Sequence, residues 1–147
     1  MIFERVTTNK TIVAEDLISI WEDSIRAHSF LKEENIAKVK PLVKLAIKNM
    51  QTLLVAKEKS NIIGFIALEN KKIEMLLVKP EFLGKGVGKA LLLFAIEKYS
   101  AVWVDINERN KKALEFYKHM GFSVFSCSKT GNAENSGVIL HMKWEQK

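Results

Sequence analysis

The densest chemical signal in the chain is the segment Leu83-Gly84-Lys85-Gly86-Val87-Gly88-Lys89. Glycines at every second position let main-chain N–H groups close on phosphate oxygens, and a helix opening directly behind them adds favourable potential for an anion. A nucleotide-hydrolysing P-loop needs glycine where this chain has Leu83 and a hydroxyl residue where it has Ala90, so that scheme is excluded. A dinucleotide fingerprint needs glycine in place of Lys89 and an earlier strand–helix–strand unit, and the chain offers neither. An anion cradle centred on Gly86 and Gly88 is left, with an ordinary tight turn as the competing account. Lys85 and Lys89 either neutralise phosphate charge or are simply solvated beside the helix start.

Three further side chains could move protons. Tyr117 carries a phenol of reference pKa about 10, a donor at neutral pH, although it also falls on an apolar helical stripe with Ala113 and Met120, where aromatic residues usually pack. Glu74 alternates with Ile73 and Met75, which predicts that it shares a strand face with Leu76 and Val78. A carboxylate there would hold a water against an amine and have a raised pKa, and an ordinary exposed carboxylate fits equally well. His28 can accept a proton near neutral pH, shape a pocket or be a satisfied, partly buried histidine. His119 and His141 lack metal-ligand spacing with each other or with Cys127, and no metal is expected.

Val78-x-Pro80 followed by Gly84-x-Gly86-x-Gly88 resembles the pyrophosphate loop of the GNAT (GCN5-related) N-acetyltransferase superfamily. Asn110-x-x-Ala113-x-x-Phe116-Tyr117-x-x-x-Gly121-Phe122 is similar to that superfamily's second motif at the expected distance. Trp21-x-x-Ser24-x-x-x-His28-x-Phe30-Leu31 resembles a feature of small bacterial members without firm substrate assignments. The resemblance implies acetyl-CoA as co-substrate and direct acetyl transfer to a primary amine in a ternary complex. It implies a pantetheine arm along Leu76, Leu77 and Val78, a diphosphate on residues 83–89 including Val87, and further contacts from Asn110, Ala113 and Phe116. Tyr117 resembles the tyrosine that faces the cofactor sulfur and would protonate the departing thiolate, with Glu74 as the candidate base. The acceptor pocket would be built by Trp21, Ser24, His28 and Phe30, with Glu33 and Glu34 attracting a cation, although a helix stripe explains Trp21 without any substrate. Leu83 departs from the usual Gln or Arg, so weaker phosphate contact is expected there. The alternative is a non-catalytic acyl-CoA-binding sensor or interaction module.

These residues need elements to position them. Residues 2–7 read as a strand, and Val13, Leu17, Ile20, Trp21 and Ile25 recur at helical spacing, with Glu15 and Asp16 suited to a first turn. Ile36, Val39, Val43, Ala46, Ile47 and Met50 repeat the pattern, with Pro41 expected to kink or restart the helix. Residues 53–57, 62–68 and 73–78 read as three antiparallel strands, and the glycine segment leads into a helix with Val87, Leu91, Phe94 and Ala95 on its stripe. A short strand over 101–104 follows, then a helix capped by Asn110 and ended by Gly121 in a left-handed turn, then strands over 122–127 and 138–144. The order β-α-α-β-β-β-α-β-α-β-β predicts an α/β (α+β) fold. It is a single mixed, mostly antiparallel seven-stranded sheet flanked by helices on both faces, as the resemblance also implies.

The chain has 147 residues, 48% of them apolar and 27% charged, which fits one soluble globular domain over 1–147. The longest apolar run, 90–96, is far short of a membrane span, and the charged start of the chain does not resemble a signal peptide, so a cytoplasmic address is expected. Cys127 is the one cysteine, expected as a small core residue. Lys and Arg number 23 against 17 acids, a net charge of +6 that suits phosphorylated ligands or nucleic acid. Arg109, Lys111, Lys112 and Lys118 lack interleaved exposed aromatics, so they read as a solvated helix face and no nucleic-acid partner is expected. A small-molecule or peptide amine is the expected acceptor: free amino acids, polyamines, antibiotic amines, peptide N-termini and protein lysines all fit. Monomer and homodimer fit equally.

Overall fold

A computed structural model describes residues 1–28, 32–129 and 137–145, with only the backbone of His28. Its elements run β1 (Ile2–Arg5), α1 (Lys10–His28), α2 (Glu33–Lys48), β2 (Thr52–Glu58), β3 (Asn61–Glu69), β4 (Lys72–Val78), a 3-10 turn (Pro80–Phe82), α3 (Val87–Tyr99), β5 (Trp103–Asn107), α4 (Lys111–His119), β6 (Phe122–Lys129) and β7 (Val138–Trp144). The strands form one seven-stranded mixed sheet in the order β1-β2-β3-β4-β5-β7-β6, antiparallel except for the β4–β5 pair. Among the described residues no helix is long and apolar enough to cross a membrane.

Two apolar clusters sandwich the sheet, because alternate residues of each strand point to opposite faces. Leu53, Val55, Phe65 and Ala67 meet Leu17, Ile20, Trp21, Ile36 and Ile47 of α1 and α2. Leu54, Ile66, Ile73, Val104 and Met142 meet Leu91, Leu92 and Ala95 of α3 and Tyr117 of α4. Ion pairs add to the α1–α2 contact: Arg26, also paired with Glu22 on its own helix, reaches Glu33, Lys40 reaches Glu22, and Lys44 reaches Glu15.

Several boundaries differ from the spacing-based expectation. The first helix begins at Lys10, so Glu15 and Asp16 lie beyond its first turn, which holds no acid. α2 runs through Pro41 without interruption. Ala37 and Pro41 are both exposed, so the carbonyl that loses its partner is solvated, while buried Ile36 and Ile47 anchor the helix on either side. α3 ends at Ser100 in the left-handed region, with Ala101 donating back to the Ala95 carbonyl at 3.2 Å, and this wrapping delays β5 until Trp103. Cys127 is exposed on β6 rather than in the core, since β6 is the sheet's last strand and only Phe122 of it is buried.

Candidate functional site

β4 and β5 pair only at Lys72↔Trp103 and Ile73↔Val104, and beyond that rung they part. β5 stays with β7 through Asn107, while β4 stays with β3 through Val78. The phase of the β3–β4 ladder decides which main-chain groups face the opening. Lys79 N–H donates to the Ile63 carbonyl at 2.8 Å, so by antiparallel alternation Leu77 and Met75 also aim at β3, while Leu76 and Val78 turn their N–H and C=O into the gap.

A cavity of about 590 Å³ fills that gap. Leu76, Leu77 and Val78 line it from β4, Leu83 and Gly88 from the glycine segment, Asn110, Lys112, Ala113, Phe116 and Tyr117 from the start of and along α4, and Ser24 from α1. Because α1 and α4 lie on opposite faces of the sheet, a space lined by Ser24 and Tyr117 together runs through the split. Lys112, read from sequence as part of a solvated face, is its charged lining residue.

The glycine segment sits at the mouth. Gly84 and Gly86 have φ of 77° and 82°, a region only glycine enters without penalty, and Gly86 is the N-cap of α3. The N–H groups of Gly84 through Lys89 have no acceptor among the described residues. That is the donor set an anion needs at a helix start. Val87 is buried and anchors the turn, while Lys85 and Lys89 are exposed, with Lys85 Nζ 5.4 Å from the Phe82 ring centroid. Leu83 is 48% exposed and presents no hydrogen-bonding side chain. Gly64, which spacing did not single out, sets how closely α3 approaches the sheet. A Cβ on it would lie 3.0 Å from the Leu77 carbonyl oxygen and 3.2–3.3 Å from Leu91 and Val87. The one hint is an isolated glycine inside a strand pattern.

Asn110 caps α4 through Oδ1, which accepts from Ala113 N–H at 3.2 Å. This turns the stripe of Ala113, Phe116 and Tyr117 toward the gap. Tyr117 is buried, its ring edge-on to Phe116 and Phe122 at centroid distances of 5.1 and 5.3 Å. Burial pushes its phenol well above the usual range, so the side chain is a neutral O–H donor. Packing and a place in the cavity are thus both realised.

Other expected residues fall elsewhere. Trp21 is 8% exposed, belongs to the α1–α2 core and does not line the cavity. The His28 side chain and Phe30 lie outside the described residues. Glu74 does not share a face with Leu76 and Val78. Leu68 pairs with Ile73 and Ala67 with Met75, so Glu74 is the extra residue of a bulge and the alternation slips by one. Its carboxylate turns instead toward Lys72, at 4.0 Å, on the opposite face.

On that face Lys72 Nζ also meets Asp105 Oδ2 at 2.7 Å, and Asp105 Oδ1 meets His141 Nδ1 at 2.7 Å. His141 Nε2 lies 3.0 Å from Ser128 Oγ. Partial burial opposes the charge on Asp105, but hydrogen bonds from Lys72 and His141 hold its carboxyl below the usual range. No group of three or more metal-ligating side chains occurs among the described residues.

Residues 49–124 match the family model described as an acetyltransferase (GNAT) domain. The chain is 31% identical over 131 residues to the peptidyl-lysine N-acetyltransferase YjaB of Escherichia coli K12, covering 88% of this chain and 89% of that protein. The solution structure of apo-form YjaB from Escherichia coli superposes with a TM-score of 0.80 at 27% identity, covering 98% of both chains. The fold is also that of the PaiA N-acetyltransferase from Thermoplasma acidophilum in complex with coenzyme A, with a TM-score of 0.66 at 24% identity and coverage of 98% and 100%.

Proposed function

The chain belongs to the GNAT acetyltransferases, and on that premise we propose that it moves the acetyl group of acetyl-CoA directly onto a primary amine in a ternary complex, with lysine side chains of peptides or proteins as the acceptor class. Residues 1–147 act as one catalytic domain. The acceptor reading is supported by the name of the relative above, a peptidyl-lysine N-acetyltransferase. The observation that carries the reading is the cavity through the β4–β5 split, with unpartnered N–H groups at its mouth and a neutral phenol within it.

Acetyl-CoA is a co-substrate here, and three features fit its parts. The N–H groups of Gly84 through Lys89 fit the diphosphate, with Lys85 and Lys89 adding positive charge. The free polar edge at Leu76 and Val78 fits the amides of the pantetheine arm, pairing with it as a further strand would. The apolar walls from Leu77, Ala113 and Phe116 exclude water around the thioester, with Asn110 at the entrance of α4.

Attack by a neutral amine nitrogen on the thioester carbonyl forms a C–N bond and expels thiolate. Tyr117 gives that sulfur its proton and is reprotonated through solvent. Ser24, on the far side of the same cavity, is a contact for the incoming amine.

Thiol release from acetyl-CoA, measured with an N-terminally blocked peptide carrying one lysine and with free amines, tests the reading. Tyr117→Phe is expected to lower kcat about 10²- to 10⁴-fold, the span of a lost general acid, with acetyl-CoA affinity unchanged in calorimetry. A wild-type rate in that variant removes Tyr117 from the mechanism. Acetyl-CoA binding without amine-dependent thiol release makes the chain an acyl-CoA sensor instead.

A further inference from the structure

Three polar side chains on three neighbouring strands form a continuous line on the face opposite Tyr117. Asp105 of β5 pairs in register with His141 of β7, and Ser128 of β6 lies diagonally across from His141. A carboxylate can only accept, so the 2.7 Å contact places a proton on His141 Nδ1, and in the neutral ring Nε2 then carries the lone pair. Ser128 Oγ–H donates to that lone pair at 3.0 Å. The result is a base oriented by a carboxylate, its basic nitrogen covered by one exchangeable hydroxyl.

Position gives the line its meaning. Ile73↔Val104 is the last β4–β5 rung, so Glu74 and Asp105 are the first residues on either side of the split. Leu76, which lines the cavity, is two residues further along β4, about 7 Å at the strand rise. Trp103, Phe125 and Met142 join Lys72, Asp105 and His141 around a depression of about 330 Å³ beside this apex. It carries apolar walls for an alkyl chain and one carboxylate, Asp105, which is paired with Lys72. Phe125 is 61% exposed and its ring lies 6.3 Å from that of His141.

Resting on the acetyltransferase reading, we infer that His141, oriented by Asp105, is the base that takes the proton from the acceptor ammonium. Glu74 lies on the same face with its carboxylate 4.0 Å from Lys72. The acceptor enters along Trp103 and Phe125, displaces the Ser128 hydroxyl from Nε2 and gives it one proton. Two protons leave the nitrogen in all: His141 passes the first to solvent, the second is shed after the C–N bond forms, and the sulfur receives one from Tyr117. The net yield is amide, free thiol and one proton. The charged groups facing His141 among the described residues are Asp105 on β5, Lys72 and Glu74 on β4, and Lys143 on its own strand.

The test compares two acceptors, the blocked lysine peptide and hydroxylamine, which is already neutral at assay pH and needs no base. His141→Gln is expected to lower kcat/KM for the peptide about 10²- to 10⁴-fold and to lose the acidic limb of its pH profile. Turnover of hydroxylamine above the uncatalysed background, acetyl-CoA affinity and the melting temperature should stay near wild type. Asp105→Asn, which frees the ring to take the other tautomer, should fall in the same direction. Added imidazole should restore part of the peptide rate to a glycine variant, His141→Gly. Equal losses on both acceptors would reduce His141 to a structural residue, and a wild-type peptide rate and pH profile in His141→Gln would remove it altogether. A wild-type protein inactive on both acceptors would overturn the acetyltransferase reading itself and this base with it.

Discussion

Gly64→Ala is the perturbation whose size the structure sets most directly. The added methyl would stand 3.0 Å from the Leu77 carbonyl oxygen, 3.2 Å from Leu91 Cδ1 and 3.3 Å from Val87 Cγ1. Retreat is blocked on both sides, because Leu77 is held in the ladder against Phe65 while Val87 and Leu91 are buried between α3 and the sheet. Overpacking of this kind costs about 1–3 kcal/mol, and replacing a strand glycine returns roughly 0.5–1 kcal/mol. The difference is a net loss of up to about 2.5 kcal/mol, which corresponds to a melting temperature lowered by up to roughly 10 °C for a chain of this size. The strain falls where α3 begins, so acetyl-CoA affinity at 20 °C should also drop severalfold, since the amides of the first turn move relative to the β4 edge.

Gly88→Ala separates the two effects. Its methyl would meet Val78 and Phe116 at 3.7–4.0 Å, ordinary contact distances, and helix propensity favours alanine by up to about 1 kcal/mol. Melting should therefore hold or rise while acetyl-CoA binding weakens, because Gly88 lines the cavity. Circular-dichroism melts and titration calorimetry read both quantities. A Gly64→Ala protein that melts at or above wild type would refute the tight sheet–helix contact, and a Gly88→Ala protein with wild-type affinity would refute the cavity as the co-substrate site.

Two other perturbations have clear signs. Gly86→Val places a β-branched residue at φ 82° with no atom within 4 Å of its Cβ, so the cost of at least roughly 1–2 kcal/mol is conformational and appears as a reshaped cradle. Acetyl-CoA affinity should fall at least tenfold by calorimetry, and unchanged affinity contradicts the loop's role. Hydrogen bonds from Lys44, Lys40 and Arg26 hold the Glu15, Glu22 and Glu33 carboxyls below the ordinary 4.5. A depressed folded-state value means stability that is complete above 4.5 and lost as pH falls through the lowered values. Amide protection factors in α1 and α2, taken relative to intrinsic exchange at each pH, should therefore fall as pH drops below 4.5, ahead of those in β2–β4, and a uniform fall would show that these pairs do not tie the helices together.

What the sequence made legible is what residue type enforces. Gly84 and Gly86 occupy left-handed backbone that other residues resist, and Asn110 caps a helix with its own side chain, so loop and α4 were readable at once. The end of α3 was not, because Ser100 takes the left-handed cap that glycine usually announces. Pro41 misled for the converse reason: its missing hydrogen bond falls on the solvent side, where water replaces it. By sequence β5 reads as ending at residue 104 because Asp105 interrupts the apolar run, yet Asp105 is the outward residue between inward Val104 and Ile106. Cys127 reads as a core residue by its type alone, and an edge strand has only one neighbour to cover it.

The placement of Glu74 is hidden in the sequence for a deeper reason. A bulge shifts alternation by one residue and moves every later side chain to the other face, and no residue type in Lys72–Val78 marks where the shift falls. Without it Glu74 would project beside Leu76 and Val78 into the face that holds Tyr117. With it, Glu74 and Asp105 both lie on the opposite face, and the described residues lining the cavity include no carboxylate, Lys112 being the charged one. The reaction proposed above would use that separation. An incoming ammonium is drawn by negative charge, whereas a thiolate forming beside a buried phenol is destabilised by it. One inserted residue at the apex of the split thus keeps both carboxylates off the face that holds Tyr117.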